Sequence, residues 1–110
     1  MIYYTEKPLS LVIEVLQERG YTEDFNLLEE GITYKENNAP IDLSELVIDK
    51  TYRFTGFNDL DDEAILYAIH NKADGAKGIF VNGYGTYADP KANAIIDKIA
   101  VNDDGQDWAK

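Results

Sequence analysis

The chain has 110 residues, 45% hydrophobic and 12% aromatic, with no Cys, and its 10 Lys+Arg against 21 Asp+Glu give a formal net charge of −11. That length fits one domain, and the apolar share is enough to offset the conformational entropy of folding, so disorder is expected only at the ends. The acidic field sets nucleic acid and membrane surfaces aside as partners, and the lack of Cys excludes a disulfide framework, a thiol nucleophile and a thiolate zinc site.

The opening Met1-Ile2-Tyr3-Tyr4-Thr5-Glu6-Lys7-Pro8 lacks a basic stretch followed by an apolar core, and no apolar run approaches membrane-spanning length, so a cytoplasmic location is expected. Leu9, Val12, Ile13 and Leu16 then fall at i, i+3, i+4 and i+7, one stripe of a helix, with Glu14, Gln17 and Glu18 on the other side. Thr5 is the expected cap, Pro8 is tolerated in the first turn, and Gly20 supplies the left-handed residue that ends the helix, placing Tyr21 to close over Leu16. Residues 24–28 and 32–36 read as a short hairpin around Glu29-Glu30-Gly31, followed by a loop at Asn37-Asn38-Ala39-Pro40. Residues 41–48 are ambiguous between one helical turn, capped by Asp42 or Ser44, and an extended run.

Residues 50–56, 63–71 and 77–84 read as three consecutive strands, and the rest of the chain is organised around them. In the first, Tyr52 and Phe54 share one face and Arg53 and Thr55 the other, the mark of a half-buried strand. Ala64-Ile65-Leu66-Tyr67-Ala68-Ile69 is apolar on both faces, which makes it the expected centre of the sheet with a helix over at least one side. Asn71-Lys72-Ala73-Asp74-Gly75-Ala76 is a hairpin loop, and the glycines of the third strand allow a bulge or close backbone approach. Asp89-Pro90 opens a second helix with a stripe of Ala92, Ile95, Ile96 and Ile99. Short connections favour antiparallel pairing. The expected architecture is therefore α+β: an antiparallel sheet of four or five strands with two amphipathic helices, N- and C-terminal, packed on one face. It occupies residues 1–101, with residues 102–110 as an acidic, flexible tail.

Few residues suggest chemistry. Asp59, Asp61, Asp62 and Glu63 crowd one turn and offer oxygens to a hard cation such as calcium, but the spacing and Gly of an EF-hand loop are missing, and a solvated turn that shields strand ends is the preferred reading. Arg53 has the planar fork to grip an anion or pair with a carboxylate, and an internal ion pair is favoured in so acidic a chain. His70, the one histidine, ends the central strand with no recognisable nucleophile beside it and cannot build a His-based metal centre alone. Gly83-Tyr84-Gly85-Thr86-Tyr87 has neither a GxGxxG nor a GK[ST] pattern, so Tyr84 and Tyr87, with Tyr67, are read as core or as the lining of a pocket or interface.

Several of these runs carry a resemblance. Gly20-Tyr21-Thr22-Glu23-Asp24-Phe25-Asn26, Tyr52-Arg53-Phe54-Thr55-Gly56, Asp61-Asp62 leading into Ile65-Leu66-Tyr67-Ala68-Ile69, Lys77-Gly78 and Tyr84-Gly85-Thr86-Tyr87-Ala88-Asp89 are similar to a family of small uncharacterised bacterial proteins. The likeness runs from about the first helix to the start of the last. Members often carry the automatic label phosphoribosylpyrophosphate synthetase, but the family implies no established activity, cofactor or catalytic residue. The label is misapplied to this chain. Such a synthetase resembles two larger α/β domains with an acidic pair and a Gly/Thr-rich phosphate turn running into a helix. The nearest stretch here, Ile99-Ala100-Val101-Asn102-Asp103-Asp104-Gly105, continues with Gln106 and Asp107 instead.

The residues point to a non-enzymatic binding domain without a cofactor. It would contact a protein partner, itself or a ligand through the bare sheet face or an edge strand, around Arg53, His70, Tyr84 and Tyr87. The competing expectation is a small enzyme that binds a nucleotide or sugar phosphate.

Overall fold

Runs of alternating or continuous apolar residues separated by turn formers specify sheet, and sheet dominates. The computed structural model describes residues 2–5, 7–28, 31–34, 40–54, 64–83, 94–106 and 108. In chain order the elements are β1 (Ile2–Thr5), α1 (Leu9–Glu18), β2 (Glu23–Leu28), β3 (Gly31–Tyr34), β4 (Pro40–Ile41), a 3-10 turn (Leu43–Glu45), β5 (Leu46–Phe54), β6 (Ala64–Asn71), β7 (Lys77–Gly83) and β8 (Ala100–Val101). The strands join in the order β1-β5-β6-β7-β2-β3-β4, with β8 also pairing β5.

The three strands expected at the centre are there. β5, β6 and β7 form an antiparallel meander, with Tyr52 opposite Leu66 and Leu66 opposite Val81. The hairpin of β2 and β3 also forms, with Phe25 opposite Tyr34 and Leu28 opposite Gly31. The ambiguous stretch resolves into both of its alternatives: Asp42 accepts hydrogen bonds from Ser44 N at 3.0 Å and Ser44 Oγ at 2.7 Å to cap the 3-10 turn, and the chain is extended from Leu46 onward.

The expected fold class needs correction. The sheet is mixed rather than antiparallel: β1 runs parallel to β5, β2 to β7 and β8 to β5. The preference of short connections for antiparallel pairs governs the meander, but β1 reaches β2 through α1, and a helical crossover returns the chain to the same end of the sheet. The described strands also exceed four or five, six of them having four residues or more.

The two-helix expectation fails too, because among the described residues only α1 is a helix of any length. The described part of the second stripe is helical at residues 94–96 alone. It then tightens, with Lys98 N bonded to Ile95 O and Ile99 N to Ile96 O, and enters β8 at Ala100. Edge pairing with β5 thus ends the helix where its period would continue. The N-terminal cap differs as well: Pro8, extended at ψ 144°, precedes the first helical residue, and Thr5 Oγ1 accepts instead from Lys7 N at 3.0 Å. The Asp89-Pro90 helix start, the turn with Asp59, Asp61, Asp62 and Glu63, and both Tyr84 and Tyr87 lie outside the described residues.

The helical segments do not share a face. β6 alternates between two cores: Leu66 and Ala68 join Val12, Leu16, Tyr21, Tyr52, Phe54 and Ile79, whereas Tyr67 and Ile69 join Phe25, Ile32, Leu46, Ile48, Ile95, Ile96 and Ile99. α1 therefore covers one side of the sheet and the 94–99 segment the other, so the central strand is sealed on both. Each fully buried aliphatic side chain here contributes on the order of 2 kcal/mol. No described helix is long and apolar enough to cross a membrane.

One irregularity matters for the site. Pairing between β5 and β6 shifts between Ile48 and Lys50, so that Ile48 opposes Ile69 and Lys50 opposes Ala68, with Asp49 bulged between them. The extra residue reverses the facing of β5. Leu46 and Ile48 face the 94–99 segment, and Lys50, Tyr52 and Phe54 face α1.

Candidate functional site

The bulge delivers Asp49 and Lys50 to the α1 side of the sheet, beside the point where α1 ends. That end is set by Gly20, at φ +99°, with Tyr21 N bonded to Leu16 O and Gly20 N to Gln17 O, both at 3.0 Å. These two bonds make a Schellman motif, in which a left-handed residue lets the chain turn back over its own last carbonyls. Tyr21 drops into the core beside Leu16, as its position after the glycine implies.

Tyr21 Oη donates to Asp49 Oδ2 at 2.5 Å. Burial first, and then this bond to a carboxylate, push the phenol well above its ordinary range, so it remains a donor. His70 Nδ1 lies 3.0 and 2.9 Å from the two Asp49 oxygens. A carboxylate only accepts, so Nδ1 carries the proton. One acid thus ties the end of α1 to β6.

Lys50 is fully buried, and its ammonium donates to Asp103 and Asp104 and, at 3.4 Å, to Tyr3 Oη. Tyr3 donates in turn to Asp103 Oδ1 at 2.8 Å. Burial works against a charged lysine, but the bonds to Asp103, Asp104 and Tyr3 outweigh it and hold the ammonium above its ordinary pKa. The bond from Lys50, with help from Gln106 N and Trp108, pulls Asp104 down to about 2; desolvation raises Asp103, but the bonds from Lys50, Gly105 N and Tyr3 together outweigh it and lower that carboxyl.

The two aspartates belong to the segment after β8, which is laid along this side of the sheet. Asn102 N bonds Ile48 O at 2.9 Å, Trp108 N bonds Tyr52 Oη at 3.0 Å, and Trp108 Nε1 bonds Asp104 Oδ2 at 3.1 Å. The Trp108 ring is 5.7 Å from that of Tyr21. Arg19 lies over Trp108 at 4.5 Å, and Lys50 stands 4.8 Å from the same ring. Lys77 Nζ is 5.5 Å from the Tyr21 ring.

These groups enclose a cleft of about 300 Å³. Arg19 and Tyr21 from the end of α1, Asp49 from the bulge, Lys77 from the start of β7, and Asn102, Asp104 and Trp108 from the last segment line it. Another hollow of about 300 Å³ lies on the opposite side of the sheet, where Ile48, Ile65, Tyr67, Ile96 and Ile99 meet Thr51, Asp97 and Val101. It offers no cationic side chain.

Of the residues singled out from sequence, Arg53 and His70 are described and do not share a face of the sheet, and Tyr84 and Tyr87 lie outside the described residues. His70 lies behind Asp49, opposite Val47. Arg53 is five residues away along β6, opposite Ile65 and on the other face of the sheet, with its guanidinium 5.4 Å over the Tyr4 ring. Among the described residues, no group of three or more His, Asp or Glu side chains is placed to hold a metal. The sequence reading did not pick out Lys50, Tyr21, Asp49 or the 102–108 segment as a site. Two signals could have done so: a lysine among the apolar residues of a strand, and a lone Trp in an otherwise polar tail.

No family model, curated protein or solved structure matches the chain.

Proposed function

We propose that this protein is a non-enzymatic binding domain whose ligand seat is the cleft at the end of α1. The observation that carries this reading is the convergence of four separate parts of the chain on one concave, aromatic-lined site. The support for binding rather than turnover is that Asp49 and Asp104 are already occupied by internal donors. A protein partner or a second copy of the chain remains the alternative binder. The bare sheet face expected to carry it is covered on both sides of the central strand, which leaves an edge strand as its surface.

Amide spectra of the labelled protein, recorded with and without a pool of small metabolites, test the seat. Saturable shifts confined to Arg19, Gly20, Tyr21 and Asn102 are expected; shifts centred on other elements would place the ligand elsewhere. A second reading, a small enzyme acting on a nucleotide or sugar phosphate, draws on the Asp49–His70 pair, since a carboxylate that fixes an imidazole is also how a general base is oriented. Turnover of ATP or ribose 5-phosphate with magnesium that disappears in His70→Gln would favour it over pure binding.

A further inference from the structure

The cleft is unbalanced in hydrogen-bonding capacity. Its carboxylates are engaged: Asp49 takes Tyr21 and His70, and Asp104 takes Lys50, Gln106 N and Trp108. Its cationic donors are not. Neither Arg19 nor Lys77 forms an ion pair among the described residues, and each is held against a ring instead. The two are neighbours, because Lys77 Cδ lies 3.8 Å from where a Cβ on Gly20 would stand, next to Arg19.

A guanidinium and an ammonium together present eight N–H donors and no acceptor. Arg19 also answers the partial negative charge at the end of α1, but its fork has more donors than the helix carbonyls use, and Gly20 and Tyr21 already cap two of those carbonyls. The chain's −11 charge opposes anions at long range. That repulsion is screened beyond about 8 Å at physiological salt, whereas a bound group would contact both cations directly.

Resting on the cleft as ligand seat, we propose that its ligand is a small organic oxyanion, a carboxylate or a phosphate monoester, held between Arg19 and Lys77 with its body against Trp108. Charge-assisted bonds to a guanidinium and an ammonium are the strong class of such contacts.

Trp108 is the chain's only tryptophan, so its fluorescence reports on this wall alone. The test titrates benzoate, phenyl phosphate and benzylamine, which share a ring and differ in charge, following Trp108 emission and the amides of Arg19, Gly20 and Asn102. Either anion is expected to saturate the cleft at concentrations where benzylamine does not, and the tighter of the two identifies the source as carboxylate or phosphate. Arg19→Gln/Lys77→Gln, at two exposed positions, is expected to keep the remaining amide spectrum and weaken anion binding by about tenfold or more. Equal binding of benzylamine, or anion affinity unchanged in the double variant, would overturn the anion assignment while leaving the cleft as the seat. Silence of the cleft amides toward all three probes at millimolar concentration would overturn the assignment and the seat together.

Discussion

Removing an ammonium group from water costs several kcal/mol unless its partners are placed to compensate, and Lys50 meets that cost with two carboxylates and a phenol drawn from both ends of the chain. Lys50→Met keeps the stem's packing but strands Asp103, whose side chain is 8% exposed. A loss of about 3 kcal/mol is expected, the low end for breaking a buried pair because Asp104 stays half exposed, and urea unfolding would measure it. The pH dependence has a definite sign. Asp103 and Asp104 are both held below the ordinary 3.8, so their contribution is complete above that value and is lost at lower pH, that of Asp104 as pH falls through about 2. Lys50, held above its ordinary value, contributes below 10.5 and weakens only as pH rises beyond the usual lysine range. Melting curves between about pH 4 and pH 2 should therefore show an acid loss that is smaller in Lys50→Met than in the parent. Tyr21→Phe removes one donor from Asp49 and leaves His70 in place; a loss of about 1–2 kcal/mol is expected by the same unfolding measurement.

At the scale of elements, a narrow join between β2 and β7, two residue pairs, Glu23 with Gly78 and Asp24 with Ile79, connects the outer hairpin to the meander. Gly78 permits that join. A Cβ there would stand 2.4 Å from Glu23 O and 2.8 Å from the Phe25 ring, and the nearer atom is backbone that cannot swing aside. Gly78→Ala should cost about 1–3 kcal/mol through overpacking and should speed hydrogen exchange in β2 and β3 while β5 and β6 stay protected. Much of this layer was legible in the chain. The period of Leu9, Val12, Ile13 and Leu16, the stop at Gly20 and the two-faced apolar run of β6 are local signals, and local structure obeyed them. β1 and β8 were not legible, because a four-residue and a two-residue strand carry no period long enough to read and exist only by pairing with β5. The stripe of Ile95, Ile96 and Ile99 was read correctly as buried but wrongly as helical through Ile99, since spacing reports which residues go inwards and not how far the helix runs.

Across the whole molecule, 21 acidic side chains against 10 basic ones leave a self-repulsion that every contact must overcome. Raising sodium chloride from about 0.05 to 0.5 M shortens the Debye length severalfold, so the melting temperature should rise; a fall would mean that exposed ion pairs, and not repulsion, dominate the surface. The buried Lys50 pairs should contribute little to that response. The candidate cleft belongs to this scale, and that is why the sequence did not disclose it: Arg19, Asp49, Lys77 and Trp108 are distant along the chain and are brought together by pairings of β5 with β1, β6 and β8 and of β6 with β7.

Asp49 also has an effect on how the chain can be threaded. The two halves of β5 are greasy in opposite phase, and the single inserted residue is what reconciles them with a uniform neighbour in β6. Sliding the hairpin by one step would point both halves the wrong way, and sliding it by two would carry the insertion past its match. The strand is keyed like a ratchet with one tooth, and only one alignment of the innermost pair satisfies both sides of the sheet at once.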